Sequence, residues 1–259
     1  MKVAIYRVLI DDYDYSIEDP FLDKNYDYYL FTNQRTNKFK NYKKIFIKDN
    51  ELNPSLQNRK LKIIIPEILL SYDVVIYLDN NIKICAPINK ILKKFYFSDC
   101  EIGFCKHPYG HTLTDEINSC INFNQSKKED LFREISYYKK NNISAKEVLT
   151  DNSFLIRRIN TLLEKNYSSE WFEYVKNFSG RDQISLPFIR SKFKLKEMLF
   201  DFSPRKFNNY FSVLPHKFKY ERKRKKKLVR HIISLTFKII FMYYLFIRYS
   251  FFKVKTKYE

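Results

Sequence analysis

Glycine and proline are scarce in this 259-residue chain, three and eight respectively, which argues against extended disorder. No CxxC pair is present. Cys85, Cys100, Cys105 and Cys120 are spaced for neither a zinc ribbon nor a dense disulfide framework, so they read as reduced, structural thiols. The opening MKVAIYRVLI lacks the long apolar core of a secretory signal, and Asp11 and Asp12 follow it at once. It reads as a first strand, with the body expected in the cytoplasm. No internal repeat is visible.

What is present suffices for one large domain with an appendage. The chain is 45% hydrophobic, with 24 Phe and 21 Tyr, enough to build a substantial core. Its net charge of +19 is uneven: residues 216–259 carry 14 Lys/Arg against two Glu, so +12 belongs to one end. The expected division is a folded domain over 1–215 and a basic tail over 216–259.

Apolar and polar stretches alternate through the first half. KVAIYRVLI, YDYYLFTN and KKIFIKD are strand candidates, and NRKLKIIIPEILLSY (58–72) has helical spacing. Its apolar side would comprise Leu61, Ile64, Ile65, Ile68 and Leu69, with Pro66 near the start or at a kink. DVVIYLD is a strand, INKILKKFYF a helix and CEIGFCKHP another strand. Residues 113–148 read as polar and helical, NSFLIRRIN as a returning strand, and 170–178 and 181–193 as two helices. This alternation predicts an α/β fold with a mostly parallel sheet covered on both faces.

The tail changes character at KYERKRKKKLVRH. The apolar run between Lys238 and Arg248 is nine residues, short of the ~20 that cross a bilayer. Across 232–252 two internal charges would each cost roughly 2.5–3.5 kcal/mol at a bilayer centre. A helix lying in the interface, with the basic cluster on an anionic membrane surface, is the favoured reading. Nucleic-acid binding is the weaker rival, because no recognition module accompanies the charge.

The apolar run Val74–Leu78 drives into Asp79, Asn80 and Asn81. One reading is a strand followed by an Asx turn. The other uses the rule that ligands bind beyond the carboxyl ends of strands in open α/β sheets. A divalent cation that also holds a diphosphate wants few, hard oxygen ligands, and Asp79 with Asn81 could supply them.

KVAIYRVLIDDYD, YDYYLFTN, the 58–84 segment ending YLDNNIKI, HPYGHTLTDEINSC, LTDNSFLIRRIN and GRDQISLPF occur in this order. Over residues 2–190 this series resembles a glycosyltransferase-like family that includes plant mucilage and cell-wall proteins and bacterial polysaccharide-biosynthesis proteins. The resemblance implies a GT-A (Rossmann-like) fold, related to family 8 glycosyltransferases; the charge and hydropathy pattern adds a C-terminal basic and hydrophobic helical tail. It also implies a nucleotide-diphosphate sugar donor, a lipid-linked or surface-glycan acceptor such as capsule or lipopolysaccharide, and Mn²⁺ or Mg²⁺.

Carried over residue by residue, Asp79 and Asn81 resemble the DxD-type metal and diphosphate site, with Asn where a second Asp often stands. His216 resembles a late metal-binding histidine. Thr32, Asn33, Arg59, Lys62, Asn80, Asp151, Asn152 and Arg181 would surround the donor. Asp182 would orient the sugar and Gln183 would face the anomeric carbon. Glu116 would be a base or acceptor contact, and His107 an acceptor contact. His111 reads as structural and Trp171 as a packing anchor. The competing class is an inactive GT-A-like scaffold that docks at the membrane in a polysaccharide-assembly complex. Without nucleic acid as partner, the protein would sit peripherally on the inner face of the cell membrane.

Overall fold

The computed structural model describes residues 1–11, 18–35, 39–48, 51–144, 146–159 and 161–214. The tail expected over 216–259, His216 included, lies outside the described residues. Among the described residues no helix is long and apolar enough to cross a membrane.

The elements in chain order are β1 (Val3–Leu9), β2 (Asp27–Thr32), β3 (Lys43–Phe46), α1 (Pro54–Ile63), β4 (Val74–Leu78), β5 (Ile82–Ile84), α2 (Asn89–Tyr96), β6 (Ile102–Lys106), α3 (Leu113–Asn122), α4 (Lys128–Lys140), β7 (Thr150–Arg158), α5 (Thr161–Asn177), α6 (Asp182–Phe193), β8 (Glu197–Phe200) and β9 (Phe211–Val213). Seven strands form one sheet in the order β3-β2-β1-β4-β7-β6-β8, and β5 pairs with β9 in a small second sheet. Six of the seven point the same way; β7 runs antiparallel to both β4 and β6. This is the mostly parallel α/β architecture expected from the sequence.

Both faces of the sheet are covered, which explains why its central strands read as unbroken apolar runs. In β1, Ala4, Tyr6 and Val8 enter one core with residues of α1, α3, α4, α5 and α6; Val3, Ile5 and Leu9 enter another with α2, β5 and β9. β4 divides likewise, Val75 and Tyr77 on one face and Val74, Ile76 and Leu78 on the other. Each fully buried Val, Ile or Leu among them contributes roughly 1.5–3 kcal/mol of transfer free energy.

The helix expected over 58–72 lies earlier and is shorter. Asn53 caps α1 by accepting the Leu56 N–H (2.9 Å), with Pro54 in the first turn, where its missing N–H costs nothing. The helix stops at Ile63 because Ile65 precedes Pro66 and is steered from the helical region; Ile64 is already extended (φ −84°, ψ 116°). A short 3₁₀ turn, Glu67–Leu69, follows, and Ile68 is exposed rather than on an apolar side. Two further boundaries move. The 113–148 segment is two helices, α3 and α4, and the helix expected at 170–178 is the end of the 17-residue α5. All four cysteines are free, as expected.

Candidate active site

Because β7 runs against its neighbours, its amino end lies at the carboxyl edge of β4 and β6. Phe154 pairs with Leu78 and Asp151 with Cys105, and the Asp79 N–H donates to the Ser153 carbonyl (2.9 Å). The β6–β7 register shifts between Phe104 and Cys105, so Asn152, Ser153 and Phe154 have no counterpart on β6. Such a bulge re-aims side chains, here Asp151 and Asn152. The reversed strand therefore delivers a second acid beside Asp79.

α1 delivers the cations. Arg59 and Lys62, three residues apart, lie on one helical face. The helix end is fastened by the buried Arg157, whose guanidinium donates to the Ile63 carbonyl and to the Lys62 carbonyl (2.9 Å), while Tyr6 donates to the latter as well (3.1 Å). A fixed positive charge suits a helix C-terminus. Lys62 is itself buried, with its ammonium 5.2 Å from the Tyr77 ring centroid.

Asp182 begins α6, after Gly180 in a left-handed turn (φ 73°). The Trp171 indole N–H donates to the Asp182 carbonyl (3.3 Å) and to Ser185 Oγ (3.0 Å), so the predicted packing anchor also pins the helix start. Lys62 Nζ lies 2.8 Å and Arg59 Nε 3.2 Å from the Asp182 carboxylate, and Asn152 donates to it at 3.3 Å. Burial alone would raise the Asp182 pKa; Arg59 and Lys62 outweigh it and hold the carboxyl well below the usual range. Gln183 donates to the Thr150 carbonyl (3.1 Å), and Thr150 Oγ donates to Asn152 (2.8 Å).

Asp79 joins the same cluster. Tyr77 donates its hydroxyl to Asp79 Oδ1 (2.9 Å) and Lys62 Nζ lies 3.8 Å from that oxygen, while Arg205 donates to Oδ2 (2.9 Å). Arg205 Nε also reaches Asp151 Oδ1 (3.3 Å), and Ser203 donates to Asp151 Oδ2 (2.9 Å). Three carboxylates (Asp79, Asp151, Asp182) thus interleave with three cations (Arg59, Lys62, Arg205) at the carboxyl edge. Sequence reasoning missed Arg205, Ser203 and Tyr77. Arg205 sits in a loop after a short edge strand, with no periodic or motif signal.

The remaining candidates divide into two groups. Arg181 donates to the buried Glu116 (2.8 Å), whose other oxygen lies 3.9 Å from His111 Nδ1. His107 Nδ1 accepts the N–H of His111 (3.1 Å) and of Tyr109 (3.4 Å), which leaves the proton of the neutral ring on Nε2. Burial, then the neighbouring His111, lowers the His107 pKa and favours that neutral form. Thr32 and Asn33 stand at the end of β2 on the same sheet edge, two strands from β4, where Thr32 accepts from Gln34 (3.1 Å) and Asn33 pairs with Asp11 (2.8 Å).

The ligand set expected for a divalent cation does not stand ready at Asp79. Both of its carboxylate oxygens face donors, and the amide oxygens of Asn80 and Asn81, the atoms that would ligate a metal, are buried from solvent, with the amide nitrogens on the Val8 and Leu214 (3.0 Å) carbonyls. Among the described residues one other group, His107, His111 and Glu116, places three ligand atoms within 4.8 Å of one another. Two of the three are already engaged there, His107 by main-chain N–H groups and Glu116 by Arg181.

A family model for the TOD1/MUCI70 glycosyltransferase-like domain matches residues 21–216. Among solved structures, the chain is similar to the apo form of WbbM, a bifunctional glycosyltransferase, at a TM-score of 0.49 and 13% identity over 77% of this chain and 38% of that one. It is also similar to the glycosyltransferase GlyE of Streptococcus pneumoniae TIGR4, at a TM-score of 0.47 and 10% identity over 77% of this chain and 45% of that one. The chain spans less than half the length of either. No curated protein matches it.

Proposed function

We propose, from the premise that the chain belongs to the TOD1/MUCI70 glycosyltransferase-like family, that it moves a sugar from a nucleotide-diphosphate donor to a surface-glycan acceptor. The observation that carries this reading is the acid–base cluster at the carboxyl edge of the sheet. Arg59, Lys62 and Arg205 supply fixed positive charge for a diphosphate, and Asp182 with Asn152 supplies acceptors and a donor for sugar hydroxyls.

In the transfer, the bond from the anomeric carbon to the phosphate oxygen breaks and the electron pair leaves with the diphosphate. The acceptor oxygen forms the new bond and gives up its proton. On this reading Gln183, one residue after Asp182 and donating to the Thr150 carbonyl, faces the anomeric carbon. Asp182, ionised because two cations face it, keeps its charge throughout and acts by orientation rather than as an acid. His107 presents its Nε2–H to an acceptor oxygen. The exposed Tyr109 ring, with Lys206 Nζ 5.9 Å from its centroid, lies beside it as an apolar face for a sugar. Glu116, paired with Arg181, frames this acceptor side.

Support for an acceptor at a membrane face comes from the charge pattern of 216–259, where the basic cluster adjoins an apolar stretch. On this reading the protein works peripherally at the inner face of the cell membrane.

The test is a donor screen with UDP-, GDP-, dTDP- and CMP-linked sugars, read by nucleotide release. The expected result is slow hydrolysis of one donor, reduced at least 100-fold in Asp182→Ala and in Lys62→Ala. A chain that binds no sugar nucleotide in calorimetry is a scaffold, and the transferase reading fails.

A further inference from the structure

The carboxylates at the end of β4 and the start of β7 already share a cation, and it belongs to the chain. Arg205 donates from its terminal nitrogen to Asp79 (2.9 Å) and from Nε to Asp151 (3.3 Å), bridging the two acids. The bridge is built in. Ser203 Oγ donates to Asp151 (2.9 Å) and accepts the Arg205 main-chain N–H (3.1 Å), so the turn that carries the cation is fastened to the acid it neutralises. Asp151 and Ser203 are buried, whereas the Arg205 side chain keeps 30% of its surface open.

A divalent ion at Asp79 would meet Arg205 on one oxygen and Tyr77 with Lys62 on the other. An asparagine ligates a metal through its amide oxygen, and those of Asn80 and Asn81 are buried from solvent. Guanidinium also suits a diphosphate in its own right, since its planar fork matches two phosphate oxygens.

Resting on the transferase reading, we propose that Arg205 is the resident cation of the donor site. The chain then binds the nucleotide diphosphate, and stabilises it as it leaves, without a divalent ion. The partly open Arg59 stands beside the diphosphate and the buried Lys62 adds its charge from beneath, and the acids hold the three cations in place rather than ligating a metal.

Calorimetry of the full chain with UDP, GDP, dTDP and CDP, in EDTA and again with Mn²⁺, tests this. The nucleotide that binds should do so with a dissociation constant that changes less than threefold between the two conditions. Arg205→Ala should weaken that binding at least tenfold in EDTA. Mn²⁺ should then recover part of it, because the freed Asp79–Asp151 pair accepts the ion. Arg205→Lys keeps the charge without the two-point bridge, so it should fold as the wild type does and lose less.

Mn²⁺ titrated alone and followed by electron paramagnetic resonance should remain free with the wild type and be taken up by Arg205→Ala. Wild-type binding that falls tenfold or more in EDTA overturns the proposal and leaves the transferase reading standing. Uptake of Mn²⁺ by the wild type, unaffected by Arg205→Ala, overturns it in the same way. Absence of binding to every nucleotide in both conditions overturns the transferase reading and this proposal with it.

Discussion

At the scale of single residues, Asp182 is the point where binding chemistry and stability meet. Its carboxylate is almost wholly buried and faces two cations, one of them equally buried. Removing the acid takes away the carboxylate nearest Arg59 and leaves the buried Lys62 only the longer contact to Asp79 (3.8 Å), so Asp182→Asn should cost about 3 kcal/mol in urea unfolding at pH 7. The sign of the pH dependence follows from the depressed folded pKa. The stabilisation is complete above the unfolded value near ~4 and is lost as pH falls below it, because the unfolded chain takes up the proton first. Wild type and Asp182→Asn should therefore converge in stability toward pH 2, and a gap that does not narrow would assign the loss to packing. Asp79, Asp182 and the Arg59–Lys62 pair were legible because each sits in a local pattern: a strand end, a helix start, one helical face. Arg205 and Arg157 were not. Their partners lie 126 and 94 residues away, and only the closed sheet brings them together.

Secondary-structure elements show why some boundaries read wrongly. Leu61, Ile64 and Ile65 satisfy a helical period, yet Pro66 governs the conformation just before it, and Arg157 rather than a further turn takes the free carbonyls of α1. β5, β8 and β9 are three or four residues long and only partly buried, so alternation had too few positions to appear. β6 carries the element-scale prediction. A Cβ on Gly103 would stand 2.5 Å from the Ile156 methyl of β7 and 2.9 Å from the Phe200 ring of β8. Contacts that short force neighbours off their rotamers in a packed core, so Gly103→Ala should destabilise by about 1–3 kcal/mol, read as a lowered Tm. Nucleotide affinity should hold, because Gly103 pairs with Ile156, five residues along β7 from Asp151. A variant that keeps wild-type Tm would mean that β6, β7 and β8 pack less tightly than described.

For the whole molecule, the question is what a +12 segment does for the proposed transferase. Residues Met1–Leu214 form one compact unit, closed where the Leu214 N–H donates to the Asn81 carbonyl (2.8 Å) and the Asn81 amide donates back to the Leu214 carbonyl (3.0 Å). A chain ending at Leu214 keeps both bonds and the β5–β9 pairing, so it should fold and bind nucleotide diphosphate as the full chain does. Its affinity for anionic vesicles should vanish. Each Lys or Arg near such a surface is worth about 1 kcal/mol at low salt, and added salt screens this over a Debye length that shrinks to ~3 Å at 1 M. Apolar burial into the headgroup region is insensitive to that screening. Sedimentation of the full chain with phosphatidylglycerol vesicles should therefore weaken with salt but level off above zero at 1 M, because 232–252 is largely apolar. Complete release at 1 M would make the tail a purely electrostatic tether. Release by duplex DNA added at an equal phosphate concentration in low salt would return the tail to nucleic acid and remove the membrane from the proposed function.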